Sequence, residues 1–236
     1  MPLTALLDGA VLAERTGDNP RVLALHGWGR TRADWLPALT GVSALAVDLP
    51  GFGASPAPSS ALGSRDYAEL LAPLLEGGGW TVAGHSLGGR IALQLAHGWP
   101  SLVDRLVLTG VPSMVREPAR AKAPLAFRLA KRAHALGLLS EQKMEAERRK
   151  RGSADYRAAE GVMRDTLVRL VNEDYRSLLV GITAPVELVW GAKDTAAPLA
   201  MVQEASALLP SATLTVSDTS GHLLDEALYA LLRERL

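Results

Sequence analysis

The 236-residue chain contains no cysteine. That excludes a disulfide framework, a thiolate nucleophile and a thiolate metal site. Net charge is also missing, because 25 basic residues face 25 acidic ones. A protein that binds nucleic acid with its whole surface carries a basic excess, so that class is set aside. Nor are there long hydrophobic runs. No apolar segment approaches membrane-spanning length, and Met1 to Gly17 holds no basic stretch followed by an apolar run. No membrane span and a cytoplasmic location are the resulting expectations. What the chain does have is an apolar content of 48%, too high for a disordered polymer, in a length that suits one α/β domain.

Short apolar runs bounded by Gly, Pro and Asp alternate with amphipathic stretches, the pattern of strands and helices in a mostly parallel sheet buried on both faces. The strand readings are Arg21–Leu25, Ala44–Val47, Trp80–Ala83, Leu106–Thr109, Val186–Trp190 and Thr213–Val216. Helical spacing covers Ser64–Glu76, Leu87–His97, Pro198–Leu209 and Leu223–Arg235, with Pro198 suited to a first turn. From Pro112 to Thr183 the rhythm breaks. Only helix-forming residues occur there, and the segment reads as a helical insertion dividing a core of residues 1–111 and 184–236 from residues 112–183. The insertion holds 15 lysines and arginines against 9 aspartates and glutamates, a net +6 that leaves −6 on the core.

One motif points to chemistry. Gly84-His85-Ser86-Leu87-Gly88 fits G-x-S-x-G and falls between a strand and a helix, where a sharp turn exposes the serine hydroxyl and only glycines fit beside it. The Leu87 amide, at the new helix's N-terminus, then faces a developing oxyanion. A serine needs a base, and the base needs an orienting carboxylate. Of five histidines, His222 follows the last strand and is chosen as base. His26 is read as a brace for its loop, His85 as a packing residue, and His97 and His134 as solvated or core residues. Asp194, just beyond Val186–Trp190, shares the sheet edge with Ser86 and His222 and is chosen over Asp48, Asp218 and Asp104. A second oxyanion donor is expected from the Trp28 amide in His26-Gly27-Trp28-Gly29, whose plainer reading is a glycine turn.

These segments, with Asp48-Leu49-Pro50-Gly51-Phe52-Gly53-Ala54-Ser55, Trp190-Gly191-Ala192-Lys193-Asp194 and Gly221-His222, resemble the α/β-hydrolase superfamily over essentially the whole chain. The order Ser86, Asp194, His222 is the one expected of that fold. Within it the motifs are most similar to the small carboxylesterases of the pimeloyl-acyl-carrier-protein methyl ester esterase type. They depart at His85, where those esterases carry tryptophan. The resemblance implies an α/β-hydrolase fold, a mostly parallel sheet flanked by helices, with residues 112–183 inserted after the sixth strand as a helical cap. It also implies hydrolysis of a small-molecule carboxylic ester or thioester through an acyl-enzyme, with no metal or organic cofactor. Leu125, Phe127, Leu129, Leu136, Leu138, Met163, Leu167 and Leu170 are the pocket candidates from the cap, with cap-to-core packing as the plainer reading. Arg148, Arg149, Lys150 and Arg151 offer an acidic carrier protein a basic surface; the alternative is a solvated face paired with Glu141, Glu145 and Glu147. Thioesterase, carbon–carbon bond hydrolase and cofactor-free haloperoxidase activities remain alternatives, as does a ligand receptor with a slow triad. Dehalogenase and epoxide hydrolase chemistry are disfavoured, since they need a carboxylate where Ser86 stands.

Overall fold

The computed structural model describes residues 3–115, 125–151 and 153–236. One sheet contains β1 (Thr4–Leu6), β2 (Val11–Thr16), β3 (Val22–Leu25), β4 (Ala44–Asp48), β5 (Trp80–His85), β6 (Val103–Thr109), β7 (Val186–Gly191) and β8 (Ala212–Ser217). Its order is β1-β2-β4-β3-β5-β6-β7-β8. Strand β2 runs antiparallel to both neighbours, and β3 to β8 are parallel. The six runs read as strands from the sequence are β3 to β8. The two not foreseen, β1 and β2, form an antiparallel edge. There β1 is only three residues long and mostly exposed, and β2 buries Val11 and Ala13 but ends in Glu14-Arg15-Thr16, so neither shows the continuous apolar run of a central strand.

Alternation along the strands divides the interior in two. Leu23, Leu25, Leu45, Val47 and Val82 face one side, under α1 (Ser64–Leu71), α2 (Leu87–Gly98) and α8 (Leu199–Leu208). Val22, Ala24, Ala44, Ala46 and Ala83 face the other, under α9 (Glu226–Arg233) and the fully buried Trp35. The alanines on that face leave room for the indole, whose Nε1 donates to the Leu25 carbonyl at 2.9 Å. Helix α1 gives way to a 3₁₀ turn at Ala72–Leu75, short of the expected Glu76, because Pro73 supplies no amide for continued helical bonding. Helix α9 starts at Glu226 rather than Leu223. Asp225 caps it by accepting from the Leu228 amide, so the residues before it form a loop.

Between β6 and β7 the described residues form helices only: α3 (Leu125–Ala135), α4 (Glu141–Arg151), α5 (Ala154–Ala158), α6 (Gly161–Leu170) and α7 (Arg176–Leu179). The C-terminal part of this segment is fastened to the rest of the chain. Arg90 of α2, almost fully buried, donates to the carbonyls of Leu170 at 2.9 Å and Pro112 at 3.2 Å. The Leu62 amide bonds Thr166 Oγ1, the Ser64 amide bonds Glu173, and Arg169 pairs with Asp66 at 2.9 Å. Helices α3 and α4 pack on each other, and Arg164 of α6 reaches Glu145 of α4 at 2.9 Å.

Candidate active site

The parallel register brings the C-terminal ends of the strands to one edge of the sheet, and the candidate residues lie in the loops that leave that edge. Ser86 forms the junction of β5 and α2. Its backbone sits at φ 52°, ψ −111°, a conformation that costs a non-glycine residue about 1–3 kcal/mol and persists only where the surroundings impose it. They do so here: the Ser86 amide donates to Thr109 at 3.0 Å, and its carbonyl accepts from Gly89 and Arg90. The turn closes because Gly84 and Gly88 lack side chains. A Cβ on Gly84 would stand 2.6 Å from Gly89 backbone, and one on Gly88 would overlap the Leu25 carbonyl. The serine itself is half-buried, at the mouth of the turn.

Asp194 and His222 are brought together by main-chain stitching between the loops after β7 and β8. Ala192 donates to Ser217 at 2.9 Å and Lys193 to Ser220 at 3.0 Å. His222 Nδ1 then lies 2.8 Å from Asp194 Oδ2, while Oδ1 of the same buried carboxylate accepts from the Ala196 and Ala197 amides, both at 2.8 Å. The Nδ1–H form of the imidazole is thereby favoured, leaving Nε2 as an acceptor with no partner among the described residues. Ser217, Ser220 and Asp225 form a hydrogen-bonded chain under the His222 loop.

The competing residues are occupied or exposed. Asp48 is fully buried and bound by the Arg32 guanidinium at 2.6 Å and by the Arg32 and Ala54 amides, so it braces the loop after β4. Asp104 and Asp218 are exposed, as is His97. His134 closes the α3–α4 turn against Leu139 and Glu141. His26 is buried; its Nε2 accepts from the Leu49 amide at 3.0 Å, Nδ1 donates to the Gly27 carbonyl, and burial lowers its pKa below the usual value. It joins the loops after β3 and β4. The next residue but one, Trp28, sets its ring edge-on against Phe52 with centroids 4.9 Å apart. Among the described residues no acceptor engages the Trp28 or Leu87 amide.

Two neighbours of the site make contacts that were not foreseen. Phe52 belongs to the quoted Asp-Leu-Pro-Gly-Phe-Gly loop, which signalled it without assigning a role. His85, read as packing, is buried as expected, and it also hydrogen-bonds the main-chain carbonyl of His222 at 2.9 Å.

The pocket candidates scatter. Met163 places its thioether against Gly51, one residue from Phe52. Leu167 and Leu170 are buried, with Leu170 in the core beneath α2. Leu129, Leu136 and Leu138 are 54%, 73% and 78% exposed. The side chains of Leu125, Phe127, Arg148 and Arg151 lie outside the described residues. Arg149 and Lys150 pair with Glu145 and Glu147 at helical spacing. Among the described residues no group of three or more His, Asp or Glu side chains is arranged to hold a metal ion.

Residues 22–230 match the model of the alpha/beta hydrolase family. The chain belongs to that family. A pimeloyl-[acyl-carrier protein] methyl ester esterase of Aromatoleum aromaticum is 32% identical over 235 residues, spanning 87% of this chain and 92% of that protein. Among solved structures, an esterase from Exiguobacterium antarcticum has a TM-score of 0.68 at 21% identity, covering 93% of this chain and 91% of its own. A meta-cleavage product hydrolase from Pseudomonas fluorescens has a TM-score of 0.66 at 16% identity over 94% and 90% of the two chains. These neighbours share the α/β-hydrolase fold. This hydrolase is thus an esterase-like enzyme.

Proposed function

We propose that this α/β-hydrolase cleaves carboxylic esters or thioesters through an acyl-enzyme on Ser86. The observation that carries the reading is the 2.8 Å His222 to Asp194 contact, made at the sheet edge where Ser86 sits in its strained turn. In this mechanism His222 Nε2 takes the Ser86 proton as Oγ attacks the carbonyl carbon, and Asp194 holds the imidazole and stabilises the imidazolium. The unengaged amides of Trp28 and Leu87 receive the oxyanion, Leu87 with the help of the α2 dipole. His222 returns its proton to the leaving group, and water deacylates the enzyme by the same route. Ser86 and His222 make no hydrogen bond to each other among the described residues, as is common before substrate arrives.

Residues 112–183 act in this reading as a cap over the site. Leu167, Leu170 and the Arg90 contacts seat it, and Met163, Phe52 and Trp28 form the acyl wall. The exposed Leu129, Leu136 and Leu138, in a segment of net +6, fit an acidic carrier bearing the substrate, the class of substrate named for the Aromatoleum aromaticum relative.

The mechanism is tested with Ser86→Ala. The variant is expected to keep its far-UV spectrum and lose the burst and turnover of p-nitrophenyl esters. Turnover persisting at wild-type rate would assign the nucleophile elsewhere.

A further inference from the structure

His85 stands between Gly84 and Ser86 at the end of β5, yet its ring reaches the far loop. Nε2 lies 2.9 Å from the main-chain oxygen of His222, a residue 137 positions away in sequence. A carbonyl oxygen only accepts, so Nε2 carries the proton. Nδ1 is then a bare acceptor, and among the described residues it is buried without a partner. The single polar tie made by this ring is therefore to the backbone of the candidate base.

The surroundings are shaped for the ring. A Cβ on Gly27 would stand 2.9 Å from His85 Nδ1 and 3.3 Å from Ser86 Cβ; one on Gly110 would stand 3.2 Å from both His85 Nε2 and His222 Nδ1. Side chains at either glycine would displace the imidazole or its neighbours. The His85 and His222 rings lie 5.0 Å apart at 48°. Burial, reinforced by His222, pushes the His85 pKa down to about 4, so the ring stays neutral and adds no repulsion when His222 becomes charged.

We propose that His85 is a positioning residue: its Nε2–H ties the His222 main chain to the strand end that carries Ser86, and so sets the separation across which the proton passes. Asp194 orients the imidazole from its ring nitrogen, and His85 fixes the backbone that bears it. This rests on Ser86 and His222 acting as nucleophile and base. It differs from a relay role, because His85 exchanges no proton with substrate and its bond goes to a carbonyl.

The test compares His85→Gln, whose amide nitrogen falls where Nε2 lies and keeps the donor, with His85→Met, which fills similar volume without one. Steady-state hydrolysis of p-nitrophenyl acetate is measured per folded enzyme, with thermal unfolding of each variant and Ser86→Ala alongside. The Met variant is expected to lose roughly 10- to 100-fold in kcat, the scale of a small misplacement of catalytic groups, with little change in KM. The Gln variant should recover most of that loss. Packing alone predicts equal kcat for the two, so equal kcat, or a Met variant as fast as wild type, overturns the proposal. His85→Asn, whose shorter side chain cannot reach the carbonyl, should follow Met; an Asn variant as fast as Gln would also overturn it. Activity surviving in Ser86→Ala would instead remove the nucleophile assignment beneath it.

Discussion

At the scale of single residues, Asp194 has two tasks that a substitution can separate. Asp194→Asn can still accept from the Ala196 and Ala197 amides through its oxygen, but it turns an NH2 group toward His222. The imidazole must then carry its proton on Nε2 and can no longer take one from Ser86. By analogy with other triads, kcat should fall by about 10⁴-fold with Tm nearly unchanged, measurable by ester hydrolysis and calorimetry. A loss below tenfold would show that Asp194 does not set the tautomer. His85 gives a pH prediction. Its folded pKa of about 4 lies below the unfolded value near 6.5, so the unfolded chain binds the extra proton in between. Its contribution to stability is complete above pH 6.5 and is lost as pH falls toward 4, on the order of 3 kcal/mol across that window. His26, also depressed by burial, acts in the same direction. Urea unfolding between pH 7 and 4 should show the fall, and His85→Gln should flatten part of it. That Ser86, Asp194 and His222 leave one edge of the sheet was legible in the sequence, because each follows a run readable as a strand. The His85 tie was not, because its partner is a distant main-chain carbonyl and any residue at position 222 would have provided one.

At the scale of elements, β3 to β7 were legible because both of their faces are largely buried, whereas β8, at the sheet edge, is partly exposed along most of its length. Strands β1 and β2 lie outside that rule, and nothing in Thr4-Ala5-Leu6 separates a short edge strand from a loop. The His222 loop runs through Leu223, where the last helix was expected to begin, and is held apart from that helix by the Asp225 cap and the serine chain beneath. Attachment of α6 to α2 is the other element-level feature, and it centres on Arg90. Its guanidinium bonds two main-chain carbonyls and stacks on Tyr175 at 5.8 Å, in a site nearly closed to water. Arg90→Met should leave both carbonyls without these donors and destabilise the chain by about 2–4 kcal/mol in urea unfolding. It should also speed proteolytic cleavage within residues 112–183. A change under ~0.5 kcal/mol would mean that the buried leucines alone hold this segment.

For the molecule as a whole, the absence of net charge conceals a division. Residues 112–183 carry +6 and the rest −6, and that sum was readable from the sequence. How the charge is used was not readable, because it depends on pairing in space: Arg149, Lys150 and Arg164 each meet a glutamate, and Arg169 meets Asp66 across to α1. If the remaining field draws in an anionic or carrier-borne ester, its kcat/KM should fall steeply with ionic strength, while that of a neutral short ester stays flat. Equal salt dependence for the two would remove the carrier from the account and leave the chemistry at Ser86 intact. That chemistry is tested most directly by mass spectrometry of the intact enzyme quenched during p-nitrophenyl ester hydrolysis, followed by peptide mapping. The account predicts one acyl group per chain, located on Ser86 and absent from Ser86→Ala; an acyl group on another residue, or full turnover with none trapped at Ser86, would contradict it.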